Sequence, residues 1–387
     1  MRVAMIIEAW EPIWGGGQVH VYEICKRLVK HGVEIDLYVM ALKDKEGNVY
    51  NQNEELFGGK LRIIRVGFPK SFTFLNRILW VFEVMKAIIH NHKRTPYSLI
   101  HAHANLPGLP AKILSKLLNI PVVYTVHGSG IEALEKMYGQ GLKTKILYAF
   151  EVFLQRKIKY DVEITVDRVF LKYTNVNKPV YIPNGVDIEK FDKVKVPKSR
   201  FKILFVGRIH PQKGLRYLVK AINSIKGELE KVGGIVVIVG GSTEWTKEEK
   251  IVRTIIRKLN LKRYFIFKGK LPEDELLKEY KSSTLFILPS LFEGMPLTLL
   301  EAWASKLPVI ATEVGENPRL VKHKYNGWLV KPGDAKELAK ALQEALNFPP
   351  RKLEVFGERG YRIVKEKYTW DKVAENVYKI YIANVQL

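Results

Sequence analysis

The chain has 387 residues, too many for one ordinary hydrophobic core, so two domains are expected. Hydrophobic residues make up 47% and charged residues 27%, which excludes a disordered or low-complexity chain. The net charge of +23 is shared by both halves and favours anionic partners: nucleotide phosphates, nucleic acid or an acidic membrane surface.

The chain opens Met1-Arg2-Val3-Ala4-Met5-Ile6-Ile7-Glu8, a strand pattern over residues 2–10 without a signal-peptide layout. A loop with Gly15-Gly16-Gly17 follows, then a helix over about 18–30 closed at Gly32, and a strand over 33–40. This is the opening of a Rossmann-like unit, although the glycines do not match the GxGxxG fingerprint. They allow close backbone approach to a ligand at a helix N-terminus; the plainer reading is a tight turn. The only cysteine, Cys25, excludes an internal disulfide, suits a reducing compartment and falls in the helix as a packing residue.

Residues 61–66 read as a strand and 72–93 as a helix of aromatic, aliphatic and basic residues. That helix is either a core helix or one lying partly in a membrane interface, with Arg77, Lys86, Lys93 and Arg94 toward headgroups. Asn76, Arg77, Glu83 and Lys86 break its apolar run, so no membrane span is expected. Residues 99–104 form a strand ending in His101 and His103, both read as structural, and 109–118 a helix. The buried strand 121–126 ends in His127-Gly128-Ser129-Gly130, where open α/β sheets bind ligands. A metal role for these histidines is set aside because no Cys or carboxylate lies near them in sequence. A helix over 142–159 and strands at 161–166 and 180–182 complete this half, giving a first domain over 1–187. Residues 188–200, rich in Lys, Asp and Pro, read as a linker.

A second α/β unit restarts at 201–207 and extends to about 367, with strands at 235–239, 265–267, 285–288 and 309–311 and helices between. That alternation means a parallel sheet covered on both faces. After Lys331-Pro332-Gly333-Asp334 the chain reads as helical to its end.

Two stretches of this second unit carry chemistry. Arg208 and Lys213, beside Gly207 and Gly214, follow its first strand; two cations there suit a diphosphate, though they are also ordinary surface residues in a chain with 63 Lys and Arg. Glu293 lies in the loop Ser290–Pro296 and Glu301 on the helix after it. Both loops should open at the carboxyl edge of one sheet, one offering cations, the other amides and carboxylates. A glycosidase acid/base pair is disfavoured. Eight helical residues rise about 12 Å, whereas hydrolase carboxyl pairs sit roughly 5–9.5 Å apart.

Glu293 and Glu301 match the E-x7-E pattern of retaining glycosyltransferases of family 4, and Phe292-Glu293-Gly294-Met295-Pro296 resembles that family's usual run. So, in order along the chain, do Gly15-Gly16-Gly17, Ile100-His101-Ala102-His103, Thr125-Val126-His127-Gly128, Ile182 to Asp187, Val206 to Gly214, and Asn326-Gly327 through Asp334. The resemblance implies the GT-B architecture: two Rossmann-like domains facing a cleft, with the C-terminal helix, within about 368–387, crossing back to the first, acceptor domain. It implies a nucleoside-diphosphate sugar donor on the second domain, used as substrate with no cofactor and no metal. Arg208 and Lys213 would neutralise the diphosphate, Glu301 hold the ribose and Glu293 the sugar hydroxyls. The backbone of Gly294, Met295, Pro296 and Leu297 would meet phosphate or sugar, and Leu271 the base. His127 would sit by the reacting sugar, with Gly16 and Gly17 approaching the donor. Asp167, where the family commonly has Ser, and Gly315-Glu316-Asn317-Pro318-Arg319 depart from the pattern, and neither is expected to touch the donor clamp.

The reading is therefore a cytoplasmic, metal-independent hexosyltransferase retaining anomeric configuration. Its acceptor would be a glycan or lipid-linked hydroxyl, and peripheral contact with an anionic inner membrane face would bring it there. A sugar-nucleotide epimerase or hydrolase on the same scaffold is the competing enzyme reading. A non-catalytic membrane or nucleic-acid binder is the third, and no nucleic-acid motif supports the latter.

Overall fold

The computed structural model describes residues 1–127, 157–172, 179–241 and 247–385, other than 45 and 199, together with residues 146, 149 and 153. The expected helix over 142–159 and the run Gly128-Ser129-Gly130 lie largely or wholly outside these residues. The chain divides into two compact units, Met1–Asn184 with Trp370–Leu387, and Gly185–Thr369.

The first unit runs β1 (Arg2–Ile6), α1 (Gly16–Leu28), β2 (Glu34–Lys43), β3 (Val49–Tyr50), β4 (Glu54–Leu56), β5 (Leu61–Lys70), α2 (Phe74–Arg94), β6 (Leu99–His103), α3 (Asn105–Leu118), β7 (Val122–Val126), β8 (Val162–Thr165) and β9 (Val180–Tyr181). Sheet order is β4-β5-β2-β1-β6-β7-β8-β9, with β3 hairpinned onto β2; β3 and β4 pair antiparallel and the rest parallel. The order reverses between β1 and β6, so the loops leaving their carboxyl ends flank the crevice where such sheets receive ligands. A charge is buried in this sheet: Asp36 of β2, fully covered, accepts from Arg2, Arg62 and Tyr97.

The second unit runs α4 (Ile188–Asp192), β10 (Lys202–Val206), α5 (Leu215–Ser224), α6 (Lys226–Lys231), β11 (Ile235–Val239), α7 (Glu248–Lys258), β12 (Phe265–Gly269), α8 (Glu273–Lys281), β13 (Leu285–Leu288), α9 (Leu297–Ala304), β14 (Val309–Thr312), α10 (Asn317–Leu320), β15 (Gly327–Val330), α11 (Ala335–Asn347) and α12 (Pro350–Lys367). The sheet is wholly parallel, in the order β12-β11-β10-β13-β14-β15, and reverses between β10 and β13. Alternate residues of one strand feed two cores. Ile203 and Phe205 join the cluster around Trp328, whereas Leu204 and Val206 join that around Trp303. Burial on both faces explains why these strands read as unbroken apolar runs rather than alternating ones. Residues 188–200 differ from the expected linker. They begin as α4, whose Phe191 is buried edge-on against Tyr280, so an apolar side chain outweighs the polar composition around it.

The terminal helix α13 (Trp370–Val385) belongs to the first unit and packs along α1. Arg27 of α1 donates to Asp371 at 2.9 Å, and His31 stacks on Tyr378. Cys25 is fully buried beside Met5; burial pushes its thiol far up, which fits packing and not nucleophilic chemistry.

Candidate functional site

In the second unit the loops after β10 and β13 meet at the point where strand order reverses. The β10 loop turns back through a short 3-10 helix, Pro211–Lys213, and Gly214, at φ +68°, then starts α5. A β-carbon on Gly214 would lie 1.9 Å from the Pro289 carbonyl oxygen, so only glycine lets the loops close on one another. They are then bonded: Leu291 N donates to Gln212 O at 2.7 Å, and Gln212 Nε2 to Phe292 O at 2.9 Å.

This seam brings Lys213 and Glu293 together. Lys213 Nζ lies 2.6 Å from Glu293 Oε1, and Ser290 Oγ donates to the same oxygen at 2.6 Å. Glu293 is 6% exposed, held by a cation and a hydroxyl. Arg208 stands exposed at the end of β10 in the same loop. Gly294 follows Glu293; the side chains of Met295 and Pro296 are buried, and Leu297 begins α9. Thr298, in the first turn of α9, has a buried hydroxyl without a hydrogen-bond partner among the described residues. One turn on, Glu301 accepts from Tyr280 Oη of α8 at 2.7 Å; burial raises its pKa against the opposing pull of that hydrogen bond. Leu271, in the loop after β12, packs on the core cluster that contains Tyr280.

Sequence reading missed four members of this arrangement: Ser290, Tyr280, Thr298 and the backbone around Gly315. Gly315 corrects an expectation. The stretch Gly315–Arg319 was expected to lie away from the Glu293 loop, yet Glu316 N donates to Gly294 O at 2.9 Å. Gly315 sits at φ +54°, and a β-carbon there would lie 2.3 Å from both the Glu293 and Gly294 carbonyl oxygens. The β14–α10 loop is thus a wall of the site.

In the first unit His127 follows β7, and Gly16 and Gly17 open α1. A β-carbon on Gly17 would stand 3.8 Å from the His127 ring, so the early glycines and the histidine are neighbours. His103 Nδ1 and His127 Nε2 share a hydrogen bond of 3.0 Å, and His20 of α1 packs edge-on to His127 and holds Asn184 Oδ1 at 2.8 Å. Burial and the neighbouring imidazoles hold His103 and His127 well below the ordinary histidine pKa, so His127 presents a neutral ring. His101 is satisfied on both nitrogens, by Tyr381 Oη at 2.6 Å and Thr125 Oγ1 at 2.7 Å. Asp167 is buried and accepts from Val169 N at 2.8 Å.

His20, unanticipated by sequence, turns the histidine pair into a group of three whose ring nitrogens lie within 4.8 Å of one another and could hold a metal. Nitrogens around a tetrahedral zinc sit about 3.3 Å apart, given Zn–N bonds near 2.0 Å. With His103 and His127 bonded to each other and His20 bonded to Asn184, the group as built is a packed cluster of imidazoles around His127.

Two family models match consecutive parts of the chain: glycosyltransferase family 4 over residues 14–190, and glycosyl transferases group 1 over residues 186–363. The chain is 29% identical over 319 residues to an Escherichia coli enzyme, UDP-Gal:alpha-D-GlcNAc-diphosphoundecaprenol alpha-1,3-galactosyltransferase, covering 75% of this chain and 79% of that one. Among solved structures it resembles sucrose-phosphate synthase from Thermosynechococcus elongatus, with a TM-score of 0.83, 21% identity and coverage of 99% and 98%. It also resembles HepE of Anabaena, solved with UDP-glucose, with a TM-score of 0.76, 17% identity and coverage of 99% and 100%. The architecture is therefore that of the GT-B glycosyltransferases.

Proposed function

As the chain belongs to glycosyltransferase family 4, we propose that it moves a hexosyl group from a nucleoside-diphosphate sugar to a hydroxyl acceptor with retention of configuration. The observation that carries this is the Lys213–Glu293–Ser290 seam at the sheet's reversal point, with Arg208 beside it. Departure of a nucleoside diphosphate builds negative charge on a phosphate oxygen. Under this proposal Lys213, Arg208 and the amides leading into α9 meet that charge where it develops, which would make them catalytic rather than merely binding groups. In this reading no metal is needed to neutralise the leaving group. Glu293 holds sugar hydroxyls, and Glu301, oriented by Tyr280, holds the ribose. Leu271 meets the base, while His127, Gly16 and Gly17 keep the donor-sugar contacts that the resemblance implies. The UDP-glucose in HepE and the UDP-galactose in the name of the E. coli relative support a uridine nucleotide as donor.

The test is incubation of the protein with a panel of nucleotide sugars, with and without sugar and polyprenyl-diphosphate acceptors. We expect nucleoside diphosphate release that depends on acceptor. Release of free or epimerised sugar at full rate without acceptor would favour the hydrolase or epimerase reading instead.

A lipid-linked acceptor is supported by the surface of α2. Its buried face carries Trp80, Val81, Val84 and Ile88. The opposite stripe exposes Leu75, Leu79 and Phe82, then Lys86, His90 and Lys93, at helical spacing. Phe68 just before it is 79% exposed, and α3 adds exposed Leu117 beside Lys116. Among the described residues no helix is long and apolar enough to cross a membrane, so an apolar stripe passing into a basic one fits an anionic bilayer surface. We expect co-sedimentation with vesicles rich in phosphatidylglycerol, little with neutral vesicles, and loss in Leu79→Ser/Phe82→Ser. Equal sedimentation of that variant would remove the stripe from the reading.

A further inference from the structure

The second unit carries another concave, strongly charged surface, at the edge of the sheet opposite the Glu293 loop. Lys198 precedes β10, Lys281 precedes β13 and Ser305-Lys306 precede β14, so all sit toward the amino ends of parallel strands. With α12 they line a cavity of about 950 Å³, within the range of small-molecule sites. Seven Lys and Arg line it against two carboxylates, Glu354 and Glu358.

The local partners do not balance these cations. Glu358 is taken by Lys306 at 2.8 Å, and Glu354 acts on Lys198. Lys281 is pushed down by burial and further by Lys306 and Lys198, against the pull of Asp192 and Glu358, so like charges crowd one another. The first turn of α12 carries Arg351 and no acidic residue, the unfavourable sign for a helix N-terminus.

We propose that this cavity binds a small polyphosphate, with Lys198, Lys281, Arg351 and Arg362 on its oxygens. Charge density selects the class: an excess of five cations suits several adjoining phosphates better than one carboxylate. The concave shape favours a compact molecule over a duplex backbone. The proposal stands apart from the transferase reading, because none of its residues belongs to the Glu293 site.

The experiment titrates inorganic phosphate, tripolyphosphate and ATP by calorimetry. It uses Arg208→Ala/Lys213→Ala as background, so that diphosphate binding at the Glu293 site is weakened. We expect that background to retain one tripolyphosphate equivalent. Adding Lys281→Glu/Arg362→Glu should weaken it at least tenfold. Preference for ATP over tripolyphosphate would identify a nucleotide as the ligand, and the reverse a bare phosphate chain. A matched reversal elsewhere on the unit, Lys220→Glu/Lys226→Glu, should have little effect; an equal loss there would reduce the binding to net charge and overturn the proposal. So would complete loss of binding in the Arg208→Ala/Lys213→Ala background. UDP binding by the cavity variant, followed in parallel, reports on the Glu293 site separately.

Discussion

In the proposed function Lys213 serves two partners, Glu293 and the donor diphosphate, and its substitution should show both. At rest its ammonium sits 2.6 Å from Glu293, a carboxylate 6% exposed. Removing the cation leaves a nearly buried charge with Ser290 as a remaining hydrogen-bond partner, and uncompensated buried charges cost about 3–5 kcal/mol when fully enclosed. Lys213 is 14% exposed, so the lower part of that range applies. We expect Lys213→Ala to lower turnover roughly 100-fold or more, the scale of losing one preorganised group at a developing charge, and also to lower the melting temperature. Glu293→Gln is the control. It keeps a group for Ser290 to bond but removes the charge, so it should lose activity with less loss of stability. Steady-state kinetics and thermal melts of the pair check this. A Lys213→Ala protein with wild-type turnover would remove the lysine from the chemistry.

At the scale of elements, the site is a joint between loops, and its tightest point is Gly315. A side chain there meets two carbonyl oxygens at 2.3 Å with the backbone at φ +54°. Gly315→Ala should therefore displace the Glu293–Gly294 peptide more than it disturbs either core. Donor affinity should fall at least tenfold while the melt shifts by only a few degrees; unchanged nucleotide binding would show that the β14–α10 loop is not a wall of the site. The sequence disclosed the loops but not this joint, for a physical reason. Glycines and charges at strand ends are local signals, so Arg208, Lys213, Glu293 and Glu301 could be placed on one sheet edge before any coordinates. Tyr280 on Glu301, Glu316 on Gly294 and His20 on His127 are pairings made by packing between distant elements, and no spacing announces them. The same limit hid β3, β4 and β15. They span two to four residues, and the strands they pair with define them. For α2 the core reading holds on one face, and the other face carries the exposed stripe on which the membrane proposal rests.

Across the whole molecule, ionisable groups buried in neutral form are unevenly shared, and this sets how the protein meets acid. The first unit encloses His20, His101, His103 and His127, all held down chiefly by burial; His20 falls to about 4 and His101 to about 3. In the second unit His210 shows the same direction, with burial and Arg208 lowering it. A histidine whose folded pKa lies below its unfolded value of about 6.5 binds more protons when unfolded, so stability rises with pH through this window. The contribution is whole above pH 6.5, is lost as pH falls, and stops changing below the folded pKa. Between pH 7 and 5 that amounts to about 2 kcal/mol each for His20 and His101. The first unit should thus lose stability first on acidification, independently of any effect on the Lys213–Glu293 seam in the second. Denaturant unfolding at pH 7 and pH 5 tests this against His101→Asn, which keeps a polar group near Tyr381 and Thr125 but cannot titrate. That variant should be weaker at pH 7 and show a shallower pH dependence. If it follows the wild-type slope, the buried imidazoles are not what makes the protein acid-sensitive.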